Sequence, residues 1–176
     1  MDDLLLLAHR IPYPPNKGDK IRSFNLLKYL SRHYRIHLGA FVDDPRDWRH
    51  AEAVRKYCAD AFLTEVDRPA ALMRSAAALA TGKAVTPCYY ADGGMQRWVA
   101  GTLGQVGMER VLAFSGAMAA FVGPDVAPGV RRVVDFVDVD SDKWAQYGAR
   151  RGGPGGWLYR REARRLLEYE RRVAAT

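Results

Sequence analysis

Hydrophobic positions along this chain fall into two alternating rhythms. Residues 3–8 hold an unbroken apolar run, Leu4-Leu5-Leu6-Leu7-Ala8, which predicts a strand buried on both faces. From 20 to 32, Ile21, Phe24, Leu27 and Leu30, with neighbouring Leu26, recur at helical spacing, so one face of a helix is expected to pack inward. The alternation continues with a strand over 34–41, a helix over roughly 45–57, a strand over 61–66 and an alanine-rich helix over 69–81, stopped at Thr81-Gly82. Asp43-Asp44-Pro45 suits the start of the second of these helices, where proline removes no hydrogen bond and carboxylates meet the positive end of the dipole. Lys83 to Gly94, with Pro87 and the Gly93-Gly94 pair, reads as irregular.

The second half repeats the theme. A helix is expected over 95–106, a strand over 110–114, a short helix around 116–122 and a turn-rich connection over 123–129. Arg132 to Asp138 reads as a fifth strand, followed by a helix from Ser141 to Gly148, a glycine-rich basic linker over 150–156 and a last amphipathic helix over 157–174. In that helix Tyr159, Ala163, Leu166, Leu167 and Val173 are expected to face inward. Strands alternating with helices predict an α/β fold, a Rossmann-like parallel sheet flanked by helices on both faces.

Composition narrows this picture only modestly. The 176 residues are 48% hydrophobic and 27% charged, enough for one domain with a buried core and unlike a disordered chain. A net charge of +7 predicts an electropositive surface suited to phosphates, nucleotide sugars, anionic headgroups or nucleic acid. Cys58 and Cys88 lie far apart, with no CxxC pair and no zinc-ligand spacing, so two reduced thiols and no metal site are expected. Neither a secretory signal nor a run long enough to span a bilayer is present, and the chain reads as cytoplasmic.

Three stretches carry candidate chemistry. The first follows the first strand: His9-Arg10-Ile11-Pro12-Tyr13-Pro14-Pro15-Asn16-Lys17-Gly18-Asp19-Lys20-Ile21-Arg22. Loops leaving the carboxyl ends of parallel strands are where ligands gather in open α/β sheets. This one is stiffened by prolines, carries Arg10, Lys17, Lys20 and Arg22, and has Gly18 to permit close backbone approach. It matches neither GxxxxGK[ST] nor GxGxxG, and a merely solvated basic loop is the competing reading. Of the four histidines, His9 has the best position for a site role.

The second stretch is Asp135-Phe136-Val137-Asp138-Val139-Asp140-Ser141-Asp142-Lys143. Asp135 sits inside an apolar strand and needs a donor, Asp138 and Asp140 fall near the strand's carboxyl end, and Ser141 and Asp142 suit the cap and first turn of the next helix. The third is the C-terminal part, with eight arginines between Arg150 and Arg172 against Glu162, Glu168 and Glu170. Arg164–Glu168 and Glu168–Arg172 have i,i+4 spacing, which favours a solvated, partly self-paired face over a nucleic-acid surface.

Taken together, HRIPYPPNKGDKIR, its continuation SFNLLKYLSRHYRIHLGAF, DFVDVDSDKWAQY and the final WLYRREARRLLEYERRVA resemble the N-terminal domain of a GT-B glycosyltransferase of family 4. The nearest resemblance is to bacterial sugar transferases of exopolysaccharide and PEP-CTERM/exosortase systems. It covers both ends of the chain; the middle, roughly 45–130, is less distinctive. It implies a single acceptor-side domain over 1–176, followed by a donor-binding domain and inactive without it. The family's EX7E glutamates would lie in that second domain, and Gly18 stands alone where many relatives carry two glycines.

On that resemblance Asn16, Lys17, Gly18, Asp19 and Arg22 become cleft-lining residues, with Asp138 and Ser141 opposite them. The implied partners are a nucleotide-sugar donor as co-substrate, with no bound metal or other cofactor, and a glycan or lipid-linked acceptor. Peripheral contact with an anionic membrane is compatible with the charge, and no nucleic acid is expected. The rival expectations are a basic nucleic-acid or membrane-surface binding module, and a Rossmann-like hydrolase using Asp138.

Overall fold

The computed structural model describes residues 1–105, 107–123 and 129–175. Five strands, β1 (Asp2–Ala8), β2 (Tyr34–Val42), β3 (Asp60–Glu65), β4 (Arg110–Phe114) and β5 (Arg131–Asp135), form one all-parallel sheet in the order β3-β2-β1-β4-β5. β1 lies in the middle, which is why its apolar run is unbroken. Leu4, Leu6 and Ala8 point into one core layer with Ile36, Leu38 and Leu27. Leu5 and Leu7 point into the other, with Met95, Val99 and Phe121. The sheet is therefore covered on both faces, as an all-parallel sheet requires.

Helix α1 (Gly18–Leu30) and the short α2 (Ala51–Arg55), entered through a 3-10 segment at Pro45–His50, lie on the first face. Asp44 accepts the Arg46 N–H at 3.0 Å to start that segment. The single helix expected over 45–57 is thus split into a 3-10 segment, Pro45–His50, and a short α-helix, Ala51–Arg55. On the other face lie α5 (Gly93–Gln105) and a second 3-10 segment, Gly116–Val122. Helix α3 (Arg68–Ala80) is capped by Asp67, which accepts the Ala70 N–H at 3.1 Å, and packs on α4 (Val85–Tyr90). Helices α6 (Asp140–Arg150) and α7 (Gly153–Ala174) pair along the outside.

Several expectations need correction. Lys83–Gly94 is not irregular: α4 occupies Val85–Tyr90 and α5 begins at Gly93. The α4 amides of Val85 and Thr86 are taken by the Glu162 carboxylate of α7 at 2.8–3.0 Å, so the cap comes from a distant helix. Strand β5 stops at Asp135, leaving 136–138 as loop. The basic linker over 150–156 already contains the first turn of α7, because Gly156 lets the backbone approach Arg151; a Cβ there would lie 1.9 Å from the Arg151 carbonyl oxygen. On α1 Lys20 is buried, 1% exposed, along with Ser23 and Leu27, while Ile21 is 46% exposed. Most of the 123–129 connection, and residue 106 of the expected helix over 95–106, fall outside the described residues. No helix among the described residues is long and apolar enough to cross a membrane.

Candidate functional site

In this strand order the chain leaves β1 towards α1 on one face and leaves β4 towards the other. The carboxyl ends of β1 and β4 therefore flank the crevice of a topological switch point. A cavity of about 370 Å³ occupies it. Its walls are His9 and Arg10 after β1, Asp19 on α1, Ser115 after β4, and Phe136 to Asp138 after β5. Tyr90 of α4 closes one side, and Asp140, Lys143 and Trp144 of α6 close the other.

His9 is fixed on three sides. Its ring stacks on Phe114 with centroids 6.1 Å apart and meets Tyr90 edge-on at 6.5 Å. Nδ1 lies 3.4 Å from the Phe114 carbonyl oxygen and Nε2 lies 3.3 Å from Asp19 Oδ2. A neutral imidazole has one N–H for these two acceptors, so one ring nitrogen keeps a lone pair. Burial, helped by the positive Arg10, holds the His9 pKa below its ordinary value and keeps the ring neutral at neutral pH.

Asp19 also accepts from Arg10 Nη1 at 2.7 Å; burial opposes its ionisation, but the Arg10 hydrogen bond and charge hold its carboxyl below the usual range. Arg10 Nε sits 3.3 Å from Asp43 Oδ2 at an angle too poor for a hydrogen bond. Asp43 in turn faces Lys20 at 3.3 Å and Lys17 at 3.4 Å, and Lys20 closes the chain on Asp47. One continuous row of alternating charges runs from the cavity wall to the β2–α2 loop.

The opposite wall is acidic and under backbone strain. Burial raises the Asp140 pKa; Lys143 opposes this, while nearby Glu170 and Asp138 add to it. Ser115 has φ 95° and ψ 147°, a region that side-chain-bearing residues avoid, and its buried Oγ has no hydrogen-bond partner among the described residues. Val137 has φ 66°, which is exceptional for a β-branched residue. Two strained residues on one cavity are an observation in their own right, since such strain collects at ligand sites. Sequence reasoning could not find them: that β4 lies beside β1 is set by the fold, and backbone strain leaves no mark in the sequence.

Of the residues expected in a cleft, Asp19 and Asp138 line the cavity. The others do not. Asn16 is exposed and donates its N–H to the Pro14 carbonyl at 2.8 Å. Lys17 is turned to Asp43, and Gly18 is exposed with open space around it. Arg22 donates to Asp135 Oδ2 at 2.6 Å and lies over the Phe114 ring, supplying the donor that Asp135 needs. Ser141 is buried: its hydroxyl and N–H both donate to the Glu170 carboxylate, so Glu170, and not Ser141, caps α6. His9, Arg10, Ser115, Asp140 and Lys143 take the places those residues were expected to hold.

At the arginine-rich end seven of the eight arginines are exposed, as the spacing predicts, and Arg161 departs from that. Arg161 is buried and donates to the Ala78, Leu79 and Lys83 carbonyls, capping the carboxyl end of α3. The exposed pair that forms is Arg165–Glu168, at 2.8 Å. Cys58 and Cys88 are free thiols, and burial pushes the Cys58 thiol up to about 12, which removes it as a nucleophile at neutral pH. Among the described residues no three metal-ligating side chains converge. Compared with known proteins, the chain matches no protein-family model and no curated sequence.

Proposed function

We propose that the chain is the acceptor-side domain of a glycosyltransferase that moves a sugar from a nucleotide-sugar donor to a hydroxyl of a glycan or lipid-linked acceptor. It would act on the cytoplasmic side in cell-surface polysaccharide synthesis, with a donor-binding domain supplying most of the nucleotide contacts. The observation that carries the reading is the composition of the switch-point cavity. Asp138, Asp140, His9 and the orphan Ser115 hydroxyl offer acceptors and donors for sugar hydroxyls, and Trp144, Phe136 and Tyr90 offer apolar surface for the ring faces. The resemblance of the first loop and the last helix to family 4 enzymes supports the same assignment.

In this reading the proton that the acceptor hydroxyl loses as it attacks the sugar leaves with the departing phosphate, and His9 positions the cavity wall: neutral at neutral pH, its two ring nitrogens are turned to Asp19 and to the Phe114 carbonyl. Lys143 and Arg10 place positive charge near the developing phosphate leaving group. The test titrates the 176-residue chain with a panel of neutral oligosaccharides and nucleotide sugars, followed by NMR. The expected result is saturable glycan binding that shifts the His9 and Trp144 signals and weakens about tenfold in Asp138→Asn, the cost of one lost charged hydrogen bond. Tighter, salt-sensitive binding to bulk nucleic acid, or phosphate-ester hydrolysis that disappears in Asp138→Asn, would overturn the reading.

A further inference from the structure

The switch-point cavity is locally acidic on a basic chain. The protein carries a net charge of +7, yet Asp19, Asp138 and Asp140 line this cavity against Arg10 and Lys143. Asp19 is already matched by Arg10, which donates to it at 2.7 Å and lies 3.3 Å from Asp43. That leaves Asp138 and Asp140 facing Lys143, and among the described residues none of these three side chains makes a hydrogen bond or an ion pair. Behind Asp140 stands one more carboxylate. Glu170 is buried, shares a crevice with Asp138 and Asp140, and accepts from the N–H and hydroxyl of Ser141, which are neutral donors.

Such a grouping favours a cation. Burial raises the Asp140 pKa; Lys143 and His9 act against this, while Glu170 and Asp138 add to it, so positive charge entering beside Asp140 would be stabilised. A second feature asks for hydroxyls. Ser115 is 7% exposed on the same cavity and its Oγ has no hydrogen-bond partner among the described residues, an arrangement that a sugar hydroxyl or amine would satisfy. Tyr90, Phe136 and Trp144 supply aromatic surface, which suits both the apolar face of a sugar ring and a positive charge. Carboxylates, a buried hydroxyl and aromatic rings around one cavity match a polyhydroxylated cation.

We infer that the cavity selects an acceptor sugar with a free ammonium group, an unacetylated amino sugar, whose ammonium meets Asp138 and Asp140 and whose ring lies against Trp144. This selectivity rests on the function proposed above and narrows its acceptor. N-acetylation would remove the charge and leave Asp140 facing a neutral amide. The chain as a whole repels such a ligand, because its net charge is positive, so a preference for the amino sugar can arise only where acids are gathered.

The test titrates the 176-residue chain by NMR with the protonated glucosamine disaccharide, its N-acetylated form and cellobiose at matched salt. The amino disaccharide is expected to bind at least about tenfold more tightly than cellobiose, the gain of a charge-assisted contact over a neutral one, and to shift the Trp144 and Asp140 signals. Asp140→Asn should bring that ratio close to unity, and Lys143→Met, which removes the competing cation, should raise it several-fold, with the fold of both checked by circular dichroism. Glu52→Gln, an exposed acid on α2 outside the cavity, should leave the ratio unchanged. Equal or weaker binding of the amino disaccharide while cellobiose binds, or a ratio that survives Asp140→Asn, overturns the inference and leaves the proposed function standing. Absence of binding by all three sugars overturns both.

Discussion

Replacing Ser115 by glycine is expected to make this protein more stable and less able to bind. At φ 95° and ψ 147° the Ser115 backbone lies close to the region open essentially to glycine alone, a strain of about 1–3 kcal/mol. Glycine removes that strain together with a buried hydroxyl that has no partner among the described residues. Against this stands the greater freedom glycine gives the unfolded chain, about 0.5–1 kcal/mol. The balance favours the variant by about 1–2 kcal/mol, which for a chain of 176 residues is a rise in Tm of about 2–8 °C.

Ser115→Ala separates the two contributions. It removes the hydroxyl and keeps the Cβ in the strained conformation, so it should gain distinctly less than glycine. Thermal and urea denaturation of the three proteins measure both differences, and glycan titration of the same samples should show that both variants bind more weakly. A glycine variant no more stable than the alanine variant would refute the claim that strain is stored at this position. Unchanged glycan affinity in both would refute the claim that the strain serves the cavity.

Three further outcomes follow from the same geometry. Lys20→Met strands Asp47 and weakens the hold on Asp43; breaking a buried ion pair from one side costs about 3–5 kcal/mol, and Lys20→Met/Asp47→Leu should recover most of it in urea denaturation. His9, its pKa lowered in the folded state, contributes stability that is fully present above its unfolded pKa of 6.5 and is lost as pH falls through the folded pKa. The His9 ring signal should therefore titrate below 6.5, and His9→Gln should flatten the loss of stability on acidification below that pH. Gly39→Ala puts a methyl 2.7 Å from Leu7 Cδ2 and 2.8 Å from Met95 Sδ in a packed layer, and should cost about 1–3 kcal/mol by thermal denaturation.

Where apolar pattern alone decides, as in the central β1 and in β2 beside it, the elements were legible in the sequence. Where a distant partner decides, they were not. Helix α4 has no cap of its own and a proline at position 87, and it forms because Glu162 satisfies its first amides from 76–77 residues away. Ile21 was given the inward face of α1 because it is apolar, yet Lys20 is drawn inward by Asp43 and Asp47, which rotates Ile21 to the surface. Asp138 lies on the cavity because it follows the carboxyl end of a strand that the apolar pattern reveals, and Asp19 because α1 starts at Gly18 beside it. Ser141 is turned away from the cavity by an acid that lies 29 residues further along and accepts from its hydroxyl, a pairing that local sequence does not reveal.

The strained residues persist because both sides of the cavity are held independently. On the β1 side the charge row from Asp19 through Arg10 and Asp43 to Lys20 fixes the first loop. On the α6 side Glu170 binds the Ser141 amide and hydroxyl and so sets where Asp140 and Lys143 stand. Between them Asp135 takes Arg22 on one oxygen and the Val137 N–H on the other, while its own carbonyl accepts the Ser115 N–H at 2.8 Å. One residue outside the cavity thus ties down both Ser115 and Val137. With its surroundings so over-determined, the chain can hold two disfavoured conformations that would relax in isolation. The polar groups at the switch point are thereby positioned before any ligand arrives, so binding need not bear the cost of ordering them.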